Sequence, residues 1–92
     1  MNAHALLLKY IQNSEKVFAE IEFKLDIGNQ NRHKVDEVIE YAKRYLSDAK
    51  FYGEKQQYET GLVSVAYCEG MLDALRLLGM VEFTWSDTEE KR

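Results

Sequence analysis

Apolar residues along this chain recur at two intervals. From about Asn2 to Ala19, the residues Leu7, Tyr10, Ile11, Val17, Phe18 and Ile21 keep to steps of three and four, the helix period, while Lys9, Gln12, Glu15 and Lys16 fall off that stripe. From about Arg32 to Tyr52 the pattern is clearest: Val35, Val38, Ile39, Ala42, Tyr45, Leu46 and Ala49 make one continuous face. Glu40, four residues before Arg44, is oriented for a favourable surface pair. A third helical segment opens near Tyr58, where Glu59 meets the positive end of the helix dipole, and closes at Gly79. Gly53 and Gly79 are both expected to take the left-handed conformation past a helix end, with Met80 or Val81 folding back on the last turn. Gly28-Asn29-Gln30-Asn31 reads as a turn in which Asn31 caps the second helix. The short connection Glu54-Lys55-Gln56-Gln57 favours antiparallel neighbours. The expected fold class is all-α, a three-helix up-and-down bundle.

The second interval is two residues. Ala19 to Ile27 alternates apolar and charged positions, and Val81-Glu82-Phe83-Thr84-Trp85 alternates as well. The alternative is therefore a bundle with a small two-stranded ribbon made from residues 20–27 and 81–85. Helix through about Phe23 is preferred, because Phe18, Ile21 and Leu25 continue the first stripe and two isolated strands are marginal. Residues 1–85 are expected to form one domain and residues 86–92 a flexible polar tail.

The third helix carries an excess of apolar surface. At about 100° per residue, Glu69, Asp73 and Arg76 fall within a sector of about 60°, together with Leu62. Val63, Tyr67, Gly70, Met71, Ala74 and Leu78 lie on the far side, and the flanks are Gly61, Cys68 and Leu75 on one edge, Ala66 and Leu77 on the other. A helix apolar nearly all round is a covered helix. Two companions cannot cover that much, so a third layer is expected: the Val81–Trp85 segment, a second copy of the chain, or another protein. Ala66, Gly70 and Ala74 recur at every fourth residue and would let another backbone approach closely. The candidate interface is Ala66, Gly70, Met71, Ala74, Phe83 and Trp85.

The three charges admit three readings. They are the solvent strip of the helix; or a partly buried network reaching Tyr45, Arg44 or Lys43 of the second helix; or a ligand site of Glu69, Asp73 and Arg76, with Tyr67 and Tyr45 lining a pocket.

Composition narrows the function classes. The chain has 92 residues, 46% hydrophobic and 30% charged, with no proline and a net charge of −4. That balance argues against DNA and, less strongly, against RNA, since phosphate contacts need a positive face. No window approaches the twenty apolar residues of a membrane span, and no basic leader precedes Leu6-Leu7-Leu8, so neither membrane nor signal peptide is expected. With one cysteine, Cys68, an internal disulfide is excluded and a cytoplasmic location with a buried, inert thiol is expected. The two histidines, His4 and His33, complete no Glu-x-x-His pair, and His33 beside Asp36 and Glu37 sits far along the sequence from Glu69. No glycine-rich phosphate loop or nucleophile elbow is present. No metal, cofactor or catalytic residue is expected. Helical HEPN-type ribonucleases place an Arg four to six residues before a His; here Arg32 is adjacent to His33, which argues against that activity.

The run Tyr45-Leu46-Ser47-Asp48-Ala49-Lys50-Phe51-Tyr52, then Glu54-Lys55, then Ala66-Tyr67-Cys68-Glu69-Gly70-Met71-Leu72-Asp73-Ala74-Leu75-Arg76-Leu77-Leu78-Gly79, resembles an archaeal family of unknown function, number 357. The resemblance covers roughly the C-terminal half. It implies a small bundle of three helices, up and down, and includes Glu69, Asp73 and Arg76 in its pattern. Where that family carries Gly-Asp after the Glu-Lys, this chain carries Gln56-Gln57. The resemblance implies no activity. The expected function is a non-catalytic protein-interaction module that forms a homodimer; the alternative is a small-molecule or metal-binding protein using the Glu69/Asp73/Arg76 strip, and a third is an RNA-associated regulator.

Overall fold

The computed structural model describes residues 1–24 and 28–85. Among these residues the chain forms three helices and one two-stranded ribbon. The expectations for residues 25–27 and for the tail at 86–92 lie outside the described residues.

Helix α1 runs Ala3–Glu20. Asn2 caps it, its side-chain oxygen accepting from the Ala5 N–H at 2.8 Å, which satisfies one of the open donors of the first turn. The helix stops earlier than its apolar stripe suggested. Ile21 is already extended, and Glu22–Phe23 forms β1 instead of a final helical turn. The period-two pattern prevails here because a partner strand exists. β1 pairs antiparallel with β2, Val81–Glu82, in the register Glu22↔Glu82 and Phe23↔Val81. The Lys24 N–H donates to the Met80 carbonyl at 3.1 Å, and the Lys24 ammonium pairs with the Glu82 carboxylate, offsetting the like charges of Glu22 and Glu82 across the ribbon. Pairing also brings Val81 into a small apolar cluster with Val35, Ile39 and Leu75, against which Ile21 and Phe23 pack.

Helix α2 runs Gly28–Glu54, longer at both ends than its apolar face required. The stretch expected to be a turn is its first helical turn, and Asn31 lies inside the helix, so it is not the cap. Gly53 is helical as well. It does not close α2; it fits under Leu7 of α1, whose Cδ2 would stand 3.3 Å from an added Cβ. The left-handed residue is Gln56, at φ 63°. Around it the Gln56 N–H donates to the Gly53 carbonyl at 3.1 Å and the Gln57 N–H to the Tyr52 carbonyl at 2.9 Å, the paired bonds of a Schellman closure. On the helix surface Glu40 pairs with Lys43 at 3.8 Å, and Arg44 lies over the Tyr41 ring.

Helix α3 runs Tyr58–Leu77 and closes in the same way, this time on a glycine. Gly79 has φ 76°; its N–H donates to the Arg76 carbonyl and that of Met80 to the Leu75 carbonyl, both at 3.0 Å. This turn feeds the chain straight into β2.

α3 is the middle element, packed against both α2 and α1, which touch each other less. The core joins Leu7, Ile11 and Val17 of α1, Ala42, Leu46 and Ala49 of α2, and Val65, Cys68 and Leu72 of α3. Gly61 is where all three helices meet: an added Cβ would stand 2.8 Å from Leu7 Cδ2 and 3.2 Å from the Ala49 carbonyl oxygen. The molecule is flattened, 42 × 27 × 17 Å, and its radius of gyration of 13.6 Å exceeds the roughly 12 Å of a compact chain this long. A flat arrangement leaves one side of the middle helix uncovered.

Candidate functional site: the third helix

α3 buries the sector formed by Gly61, Val65, Cys68, Leu72 and Leu75. Glu69, Asp73 and Arg76 border it, all three only partly exposed. The C-terminal segment covers this border. Trp85, 3% exposed, lies in the core cluster, and its indole N–H donates to Asp73 Oδ1 at 2.9 Å. The same oxygen accepts from Arg76 Nη2 at 3.0 Å and Arg76 Nε at 3.3 Å. Phe83 sits edge-on to the Trp85 ring and packs against both apolar clusters, with the Arg76 guanidinium above it. The strip is thus a half-buried polar seam; of the three readings the network comes nearest, but its partner element is the segment after α3 and not helix two.

The five candidate ligand residues are divided. Asp73 and Arg76 are bonded to each other and, through Asp73, to Trp85. Tyr45 and Tyr67 stack on one another at 5.2 Å between centroids, nearly parallel. Arg76 opens onto a groove of about 630 Å³ shared with Glu20, Glu22, Lys24, Glu82 and Phe83, a lining that includes none of Glu69, Asp73, Tyr67 or Tyr45. Among the described residues, no group of three or more His, Cys, Asp or Glu side chains could hold a metal ion. None of the described helices is long and apolar enough to cross a membrane.

Cys68 is fully buried, and burial pushes its thiol up to about 11; the neighbouring Ser14 hydroxyl pulls it part of the way back, while Glu69 adds to the rise. At neutral pH the sulfur is a protonated, inaccessible thiol, which is a packing role. The Ser14 hydroxyl itself is buried without a conventional hydrogen-bond partner among the described residues.

The opposite side of α3 is open. Val63, Ala66, Tyr67, Gly70, Met71 and Ala74 line a groove of about 520 Å³. Val63 is 58% exposed, Tyr67 57%, Leu77 74% and Leu78 69%. From Val63 to Leu78, every fully exposed position of the helix and its cap is Val, Ala, Tyr, Gly or Leu. The chain covers its charged flank and leaves its apolar face to water. Of the expected interface residues, Ala66, Gly70, Met71 and Ala74 line this groove, whereas Phe83 and Trp85 are packed on the other side of the helix. Val63 and Leu77 belong to the open face too; their places on the helical wheel were visible, but nothing in the pattern said which flank the C-terminal segment would take.

No curated protein and no solved structure matches this chain. A family model does, the one described as protein of unknown function, DUF357, and it matches residues 9–81, from within α1 to the first residue of β2. That span holds most of α1, all of α2 and α3 and the whole of the open face, and the chain belongs to the DUF357 family.

Proposed function

We propose that this protein is a non-catalytic interaction module that self-associates through the open face of α3. The observation that carries the reading is the absence of charge from every fully exposed position between Val63 and Leu78, in a chain whose net charge is −4. Two copies of net negative charge repel each other overall; an uncharged apolar face is a surface on which they can meet. Four large side chains more than half exposed on one side of one helix also form the kind of contiguous apolar patch that marks an interface. Ala66, Gly70 and Ala74 keep the centre of the patch low, so that a second helix can lie close. The lone buried thiol fits a cytoplasmic protein.

Sedimentation at micromolar concentration tests this. The native chain is expected to run as a dimer, and Ala74→Arg, at an exposed position, is expected to run as a monomer with unchanged helical content. A monomeric native chain overturns the proposal.

A further inference from the structure

The residues that follow α1 satisfy the periods of both helix and strand, and the backbone holds them one torsion away from the helix. Ile21 has φ −62° and ψ 137°, and its N–H donates to the Val17 carbonyl at 2.8 Å. That φ and that bond already belong to a helix. Turning ψ to roughly −42° would continue α1, with the Glu22 N–H meeting the Phe18 carbonyl and the Phe23 N–H that of Ala19. We infer that residues 21–24 are a two-state element: strand while the segment Val81–Trp85 is docked, and a further turn of α1 once that segment lifts.

The helical state has support of its own. Ile21 follows Val17 by four residues and Phe18 by three, so it stays on the buried stripe of α1. Lys24 follows Glu20 by four, acid first, the favourable orientation for a helical ion pair. The last turn of α1 carries no basic residue; Lys24 would place one at the negative end of the dipole. The strand state depends on a single neighbour. Among the described residues β1 pairs only with β2, and a lone two-stranded ribbon is marginal. In that state Phe23 packs in the cluster of Val81, with the Arg32 guanidinium over its ring, and Lys24 pairs with Glu82. Val81, fully buried, and Trp85, bonded to Asp73, hold β2 in place. Lifting the segment takes away the cross-strand neighbour of Phe23, the Glu82 carboxylate beside Lys24 and the Met80 acceptor of the Lys24 N–H together, and the balance passes to the helix. None of this involves the open face of α3, so the inference is independent of self-association.

Cα chemical shifts of the full chain, measured by NMR, test this. Glu82→Pro and Asp73→Ala loosen the segment through different contacts. The Lys24–Met80 bond sets the alternation that points the Glu82 N–H at β1, and proline has no N–H to give. Asp73→Ala removes the acceptor of the Trp85 indole. A red shift of Trp85 emission marks the chain, single or double variant, in which the segment has left. In that chain the Cα shifts of Glu22 and Phe23 are expected to cross from the strand side of random coil to the helix side, while those of Tyr10 to Val17 stay helical. Shifts that stop at random-coil values, or remain on the strand side, overturn the inference. So does a segment that stays docked in the double variant, because β2 is then no separable element. Loss of all three helices on release overturns it as well, since the core would then depend on the docked strand.

Discussion

Trp85 and Asp73 are joined by a hydrogen bond of 2.9 Å from the indole N–H to Oδ1, and this contact decides which side of α3 is closed. It clamps the C-terminal segment over the charged border of the helix. Asp73→Ala would leave the indole donor and the Arg76 guanidinium without that oxygen. It is expected to destabilise the fold by about 2 kcal/mol, and Asp73→Asn, which retains an acceptor, by about 1 kcal/mol. Trp85→Phe should lose a similar amount, and combining it with Asp73→Ala should cost less than the sum of the two. Urea unfolding of the four chains measures this; strict additivity would show that the bond contributes nothing.

Gln56 occupies a left-handed position that glycine adopts without steric penalty. Gln56→Gly is therefore expected to stabilise the chain by roughly 0.5–1 kcal/mol, read as a higher midpoint of thermal unfolding. The mirror experiment, Gly79→Ala, should destabilise by about 1 kcal/mol. Equal midpoints for Gln56→Gly and the parent would mean that this turn carries no strain.

Gly61 is a packing position in the middle of a helix. Alanine there gains helix propensity, about 1 kcal/mol, but its methyl group would press on Leu7 and on the Ala49 carbonyl. Leu7 can move; the Ala49 backbone has little room to do so. The overpacking cost of about 1–3 kcal/mol is expected to win, giving a net loss, and Gly61→Val should lose more. A Gly61→Ala chain as stable as the parent would show that the three helices can separate at this point without penalty.

The Cys68 thiol is held at about 11 against an ordinary value of 9.0, so the folded state keeps its proton more tightly than the unfolded state does. A raised value of this kind contributes fully below pH 9 and is lost as pH rises from 9 toward 11. The native chain should lose about 2 kcal/mol over that window beyond whatever the tyrosines and lysines contribute. Cys68→Ala carries those other groups without the thiol, so its stability should fall less steeply between pH 8.5 and 10.5. Parallel slopes for the two chains would contradict this.

Ser14 offers a substitution in the favourable direction. Its hydroxyl is buried with no conventional partner among the described residues, so Ser14→Ala is expected to hold or raise stability, by up to about 1 kcal/mol. A loss of 2 kcal/mol or more would show that the hydroxyl has a bond to the Cys68 sulfur worth keeping.

Much of this architecture was legible in the sequence, and the parts that were not share a cause. The helical faces of Leu7, Ile11 and Val17, and of Val35 through Ala49, are set by local periodicity and appear where they were expected. Gly79 was readable because its chemistry is local: only a residue tolerant of positive φ ends a helix that way. Gln56 was not, because nothing in a glutamine announces a left-handed backbone; the demand comes from the short link between α2 and α3. The boundary at Glu20 and Ile21 satisfied both periods, and the distant strand Val81–Glu82 decided between them. The excess apolar circumference of α3 could be counted on a wheel. Which side of it would stay open depended on Trp85 reaching Asp73, a tertiary fact that no window of residues contains.

The chain has a single tryptophan, and the fold has put it at the seam between α3 and the segment that follows. Its emission therefore reports the docking of that segment and is nearly blind to the far end of α2. Lifting residues 81–85 would move the indole into solvent and shift its fluorescence to the red while circular dichroism still registers three intact helices. Optical unfolding curves that fail to coincide would then measure how tightly the last strand is latched.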